Sequence, residues 1–121
     1  MRDIAIWRLE LFDELRTIAN RSELEQLWSG VNPNAISSYQ EEVEHVFSDF
    51  DIDGFLSLDP KQNGLTPPQL LALRRFRDEF SNYVDYTNRE YKGKPDFRVV
   101  LADSQWARIM FLAQEFVALI D

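Results

Sequence analysis

Three aspartates alternate with apolar residues in Asp49-Phe50-Asp51-Ile52-Asp53-Gly54. An EF-hand loop uses carboxylates at positions 1, 3 and 5 as oxygen ligands for Ca²⁺, and glycine at position 6 for its sharp turn. Asp49, Asp51, Asp53 and Gly54 fill those places. Position 12, where a bidentate Glu closes the cage, is Pro60, with Asp59 one place early. Phe50 and Ile52 meanwhile call for burial. The pattern supports a weak calcium site on Asp49, Asp51 and Asp53 as its lesser reading. The main reading is an acidic turn that exposes carboxylates and uses Phe50 and Phe55 either as inward staples or as a partner's target.

A second constellation lies just upstream. Glu41, His45 and Asp49 recur at steps of four and share one helical stripe. An imidazole between two carboxylates can hold a metal or relay a proton. His45, however, falls about 160° from the centre of the apolar face of its own helix. It is therefore expected in water, where one imidazole and two carboxylates make a poor zinc site. No metal and no cofactor are assigned. The chain has no Cys and a single His, which excludes a disulfide framework, a Cys-ligated zinc, a thiol nucleophile and a multi-histidine site. It contains no G-x-S-x-G, P-loop, G-x-G-x-x-G or H-E-x-x-H. Among its many acids nothing selects one pair for glycoside chemistry. The chain is accordingly read as not an enzyme.

Charge is the most informative pattern. Between Ser22 and Pro60 there is no Lys or Arg, while Glu23, Glu25, Glu41, Glu42, Glu44, Asp49, Asp51, Asp53 and Asp59 all fall there. The rest of the chain holds 12 acids against 13 bases, so this stretch carries essentially the whole net charge of −8. Such a block repels itself, and a cationic partner relieves that repulsion. A solubilising surface is the plain reading; an acidic docking face for a basic protein is the functional one. The candidate contacts are Glu41, Glu42, Glu44, Asp49, Asp51 and Asp53, with Glu23 and Glu25 beside them. The acidity argues against nucleic acid as a partner. Trp7, Trp28 and Trp106 sit at helical spacing and read as core, but Trp28, ending a short acidic helix before Gly30, is the candidate exposed anchor.

The elements that must position these residues read as an all-α domain. One compact single-domain bundle of four to five helices over residues 1–121 is expected, with a long irregular acidic loop at about 48–65. Ile4, Trp7, Leu11, Leu15 and Ile18 form the stripe of a first helix over Asp3 to Ala19. Ser22 with Glu25 predicts a capping box for a short second helix ending near Trp28. Asn34 is expected to cap a third, through about Phe47. Thr66, Pro67 and Gln69 give the strongest start signal, for a fourth helix buried along Leu70, Leu73, Phe76, Phe80 and Tyr83. Arg74–Asp78 and Arg75–Glu79 are expected ion pairs on its wet side. Residues 87–102 read as a basic loop, with 97–101 extended or a bit of helix. Asp103 caps a last helix with Trp106, Ile109, Met110, Ala113, Phe116, Val117 and Ile120 inside. No signal peptide or stretch of 18 apolar residues is visible, so a cytoplasmic location without membrane contact is expected.

The run Gly64-Leu65-Thr66-Pro67-Pro68-Gln69, then Phe76-Arg77-Asp78, then Asp103-Ser104-Gln105-Trp106 with Ile109 and Ala113, resembles patterns in small all-α bacterial immunity proteins. These include the immunity proteins of contact-dependent growth inhibition and related polymorphic toxin systems. The similarity covers residues 64–120. It implies a single-domain cytoplasmic protein that binds one cognate toxin domain, often a nuclease, and blocks it stoichiometrically. The chain itself is expected to be a monomer or weak dimer. It carries over no site residue. The acidic face fits it independently, since a nuclease presents cations to phosphates and carboxylates can occupy them. The alternative is a helical regulatory or adaptor module, with the Asp-rich loop as its calcium site.

Overall fold

The computed structural model describes residues 2–34 and 36–121. The fold is all-α, and no strand occurs among the described residues. Its elements are α1 (Ile4–Ile18), α2 (Arg21–Ser29), α3 (Tyr39–Glu44) running on into a π turn (His45–Asp49), α4 (Ile52–Ser57), α5 (Pro60–Asn63), α6 (Pro67–Tyr91), α7 (Phe97–Ala102) and α8 (Ser104–Ile120). No helix among the described residues is long and apolar enough to cross a membrane.

The long helices start where local chemistry satisfies their free amides. Asp3 accepts from the Ala5 amide at 2.9 Å at the head of α1, and Asp103 accepts from Gln105 at 2.9 Å at the head of α8. At α6 both halves of the capping box form: Thr66 Oγ1 accepts from the Gln69 amide at 3.3 Å, and Gln69 Oε1 accepts from the Thr66 amide at 2.9 Å. Thr66→Ala is expected to cost about 1 kcal/mol in urea unfolding. An unchanged midpoint would mean that packing alone fixes this end.

Helices α6 and α8 run antiparallel. Gln69 Nε2 donates to the Leu119 carbonyl at 3.0 Å at one end, and Tyr83 Oη donates to Asp103 Oδ2 at 3.0 Å at the other. Helix α1 packs on α8, where Arg16 bonds Asp121 at 2.6 Å and Gln114 Nε2 donates to the Ala19 carbonyl at 3.0 Å. Two aromatic groups fill the interior. Trp7, Phe12, Phe55 and Phe116 meet edge-on at centroid distances of 5.2–6.2 Å. Trp28, Tyr39, Phe80 and Tyr83 surround Trp106 at 5.4–5.9 Å. Such pairs add to the burial of their own area.

Several expectations are corrected. Asn20, not Ser22, caps α2, accepting from the Glu23 amide at 3.1 Å; Ser22 lies inside the helix and Glu25 pairs with Arg21 at 2.9 Å instead of reaching back. Ser38, not Asn34, caps α3, accepting from Glu41 at 3.2 Å, and Ile36 is 57% exposed. Ala35, the first position of the helix expected there, lies outside the described residues. The irregular stretch 48–65 holds two short helices, each opened by an aspartate cap: Asp51 onto Gly54 and Asp59 onto Lys61. Helix α6 continues to Tyr91 because Tyr83 and Thr87 extend its buried stripe, and it stops at Lys92 and Gly93, both with left-handed φ. Of the two readings of residues 97–101 the helical one holds: 97–102 form a short helix capped by Asp96. The pairs expected along α6 are replaced by Arg77 with Asp78 and Asp53, and by Arg108 with Glu79.

Candidate functional site

The carboxylates expected on one docking face separate into different roles. Glu41 and Glu44 on α3 and Glu23 on α2 are exposed, and none has a Lys or Arg within 4.0 Å among the described residues. Asp49 is also exposed, at the end of the π turn. Glu25 is exposed but spent on Arg21, and Asp53 is held by Arg77 at 2.6 Å. Asp51 adopts a left-handed φ of 41° and caps α4 through the Gly54 amide at 3.0 Å. The fold also brings bases to the acidic segment: Lys92 and Lys94 line the same groove as Glu41 and Glu44.

Two expected contacts are not on the surface. Trp28 is only 7% exposed and packs on Tyr39 and Trp106, so it is core and not an exposed anchor. Glu42 is 2% exposed. Nor do Asp49, Asp51 and Asp53 form a calcium cage. Asp49 faces His45, Asp51 turns onto its own helix start, and Asp53 reaches α6, so the three do not converge. The early helix start at Ile52 is what disperses them, because it spends Asp51 as a cap. Phe55 is buried and Phe50 half-buried, which makes them inward staples.

Where the acids do converge is under the surface. Glu14 of α1, Glu42 of α3 and His45 at the start of the π turn offer ligand atoms that all lie within 4.8 Å of one another. His45 Nδ1 stands 3.5 Å from Glu14 Oε1, and His45 Nε2 stands 3.9 Å from Asp49 Oδ2. The partners of His45 are thus Glu14, Glu42 and Asp49; Glu41 points away into solvent. The π turn closes with the Phe50 amide on the His45 carbonyl at 2.8 Å. It is tied to α1 by the Trp7 indole N–H on the Phe50 carbonyl, and to the segment before α1 by Arg2 on the Asp49 carbonyl. Single π turns of this kind re-aim side chains and are frequent at functional sites.

Among the described residues three polar side chains are buried, and two of them are satisfied. Asn63 accepts from Leu65 at 3.0 Å and donates to the Leu58 carbonyl at 3.4 Å; Thr87 bonds Tyr39 Oη at 2.9 Å and the Val84 carbonyl at 3.1 Å. Glu42 is different. Its Oε1 accepts from Ser37 Oγ at 3.3 Å, but Oε2 has no hydrogen-bond partner among the described residues, and neither have Glu14 Oε1 and His45 Nδ1. Burial, then the adjacent Glu14 carboxylate, push the Glu42 carboxyl far above the usual carboxylate range. Only part of this cluster was readable in the sequence. Glu42 and His45 stand at i,i+3, but Glu14 arrives from another helix.

No protein-family model, curated protein or solved structure matches the chain.

Proposed function

We propose that the protein is an interaction protein of the immunity type, which binds a cognate basic toxin domain and occludes its active-site cleft. The observation that carries this reading is the run of exposed carboxylates Glu41, Glu44 and Asp49 on α3 and its π turn, in a stretch of sequence without Lys or Arg. Exposed, unpaired acids cost little in the free protein and gain Coulomb energy against a cationic cleft. Glu23 on α2 extends the set. Glu42 drops out, since a buried carboxyl meets no partner.

The test is association with the toxin domain encoded beside the gene. Glu41→Lys with Glu44→Lys is expected to slow association about tenfold or more at low salt, with the difference shrinking as salt rises. Both residues are exposed, so unfolding midpoints should hold. An unchanged association rate removes the acidic face from the mechanism. The absence of any toxin gene beside this one, with no inhibition on co-expression, removes the immunity reading itself.

A further inference from the structure

The geometry points to a divalent transition-metal site formed by Glu14, Glu42 and His45, independent of the docking face. Glu14, Glu42 and His45, from two separate parts of the fold, each offer one donor atom to a common point, and Glu14 Oε1, Glu42 Oε2 and His45 Nδ1 are their buried, unpartnered atoms. Each is shielded from solvent and has no hydrogen-bond partner among the described residues, apart from a proton that Glu14 and Glu42 can share. Buried polar atoms in native proteins are nearly always satisfied, so three orphans pointing at one another ask for a shared partner. That partner must be positive, because two carboxylates otherwise face each other in a medium that screens them poorly.

The spacing suits an ion. Donors held about 2.1 Å from one tetrahedral metal stand about 3.4 Å apart. His45 Nδ1 and Glu14 Oε1 are already 3.5 Å apart. Glu42 is the third corner, with its ligand oxygen within 4.8 Å of the other two donors.

The surroundings also fit. Asp49 Oδ2 lies on the Nε2 side of the imidazole at 3.9 Å. Nδ1 is thus the ring nitrogen that faces Glu14, while Nε2 faces Asp49. Ser37 steadies the other oxygen of Glu42. His45 is 34% exposed although its Nδ1 is buried, so the cluster lies just under the surface. An imidazole with two carboxylates favours zinc and its first-row neighbours over Ca²⁺ or Mg²⁺, which prefer all-oxygen cages.

The full-length protein, stripped with a chelator, is titrated with Zn²⁺ by calorimetry, and with Co²⁺ by visible absorption. One ion per chain is expected at micromolar affinity or better, with a rise in melting temperature and a Co²⁺ spectrum of low coordination number. Glu42→Gln, Glu14→Gln and His45→Ala should each weaken binding at least about tenfold, while Glu41→Gln leaves it unchanged. Circular dichroism verifies that each variant is folded, and Glu14→Gln serves if Glu42→Gln fails that check. Two results overturn the proposal: no binding short of millimolar Zn²⁺, or binding that neither glutamine variant changes. The first leaves a proton shared between the two carboxyls as the positive partner; the second places the ion at the surface on His45 and Asp49.

Discussion

Trp106→Ala is expected to destabilise the protein by about 3–5 kcal/mol, the usual loss for a large aromatic cut from a closed core. Trp106 is fully buried and meets Trp28, Tyr39, Phe80 and Tyr83 within 6 Å, so its indole joins α2, α3, α6 and α8 at one point. Those rings belong to three separate elements and cannot collapse together into the space left behind. A domain of this size has about 5–15 kcal/mol in total, so a large fraction goes with one side chain. Urea unfolding followed by circular dichroism checks it. Trp106→Phe should cost much less, because a ring remains and the indole N–H, which has no partner among the described residues, is removed with the rest. Equal losses for both variants would show that the site is not held by ring packing.

The second large effect concerns pH. Burial raises the Glu42 carboxyl from an ordinary 4.5 to about 9, with Glu14 adding to the rise. In chelator-treated protein the folded state therefore keeps a proton that the unfolded chain has already released. Between these two values the folded state binds more protons, so stability falls as pH rises. The contribution is fully present below about pH 4.5 and gone above about pH 9. One proton sets an upper slope of about 1.4 kcal/mol per pH unit, and sharing with Glu14 lowers it. A loss of about 2–4 kcal/mol from about pH 5 to about pH 8 is expected. Glu42→Gln carries no titrating group, so its curve should be flatter and should lie above the wild type at about pH 8. Groups elsewhere titrate in both proteins and cancel in the difference. Two parallel curves would mean that Glu42 is ionised in the folded protein.

Much of the fold is legible along the chain because its causes are local. The stripe through Trp7, Leu11, Leu15 and Ile18 is buried as its spacing requires. Asp3, Thr66 and Asp103 mark helix starts because their own oxygens meet amides two or three residues on. Local signals failed where two competed within a few residues. Asn20 and Ser22 are both good caps, as are Asn34 and Ser38, and packing of the following apolar residues chose between them. The aspartates at 51, 59 and 96 are caps too, yet the helices they open are only four to six residues long. Helices that short do not stand alone in water, and their existence depends on Ile52, Phe55, Val100 and Leu101 finding the core.

The site divides in the same way. The sequence by itself determined the all-α class, the main caps and stripes, and a stretch of nine acids without Lys or Arg, since composition and periodicity need no knowledge of what lies across the core. Only the tertiary structure decided which acids face water. Glu41 and Glu44 remain outside, Asp51 and Asp53 are spent on a helix end and on Arg77, and Glu42 goes inside. Only the tertiary structure brought Glu14 to Glu42 and His45, because that meeting depends on how α1 lies against α3 and on a π turn that re-aims one imidazole. Charge along a chain is a one-dimensional property, whereas burial and convergence arise from contacts between residues far apart in it.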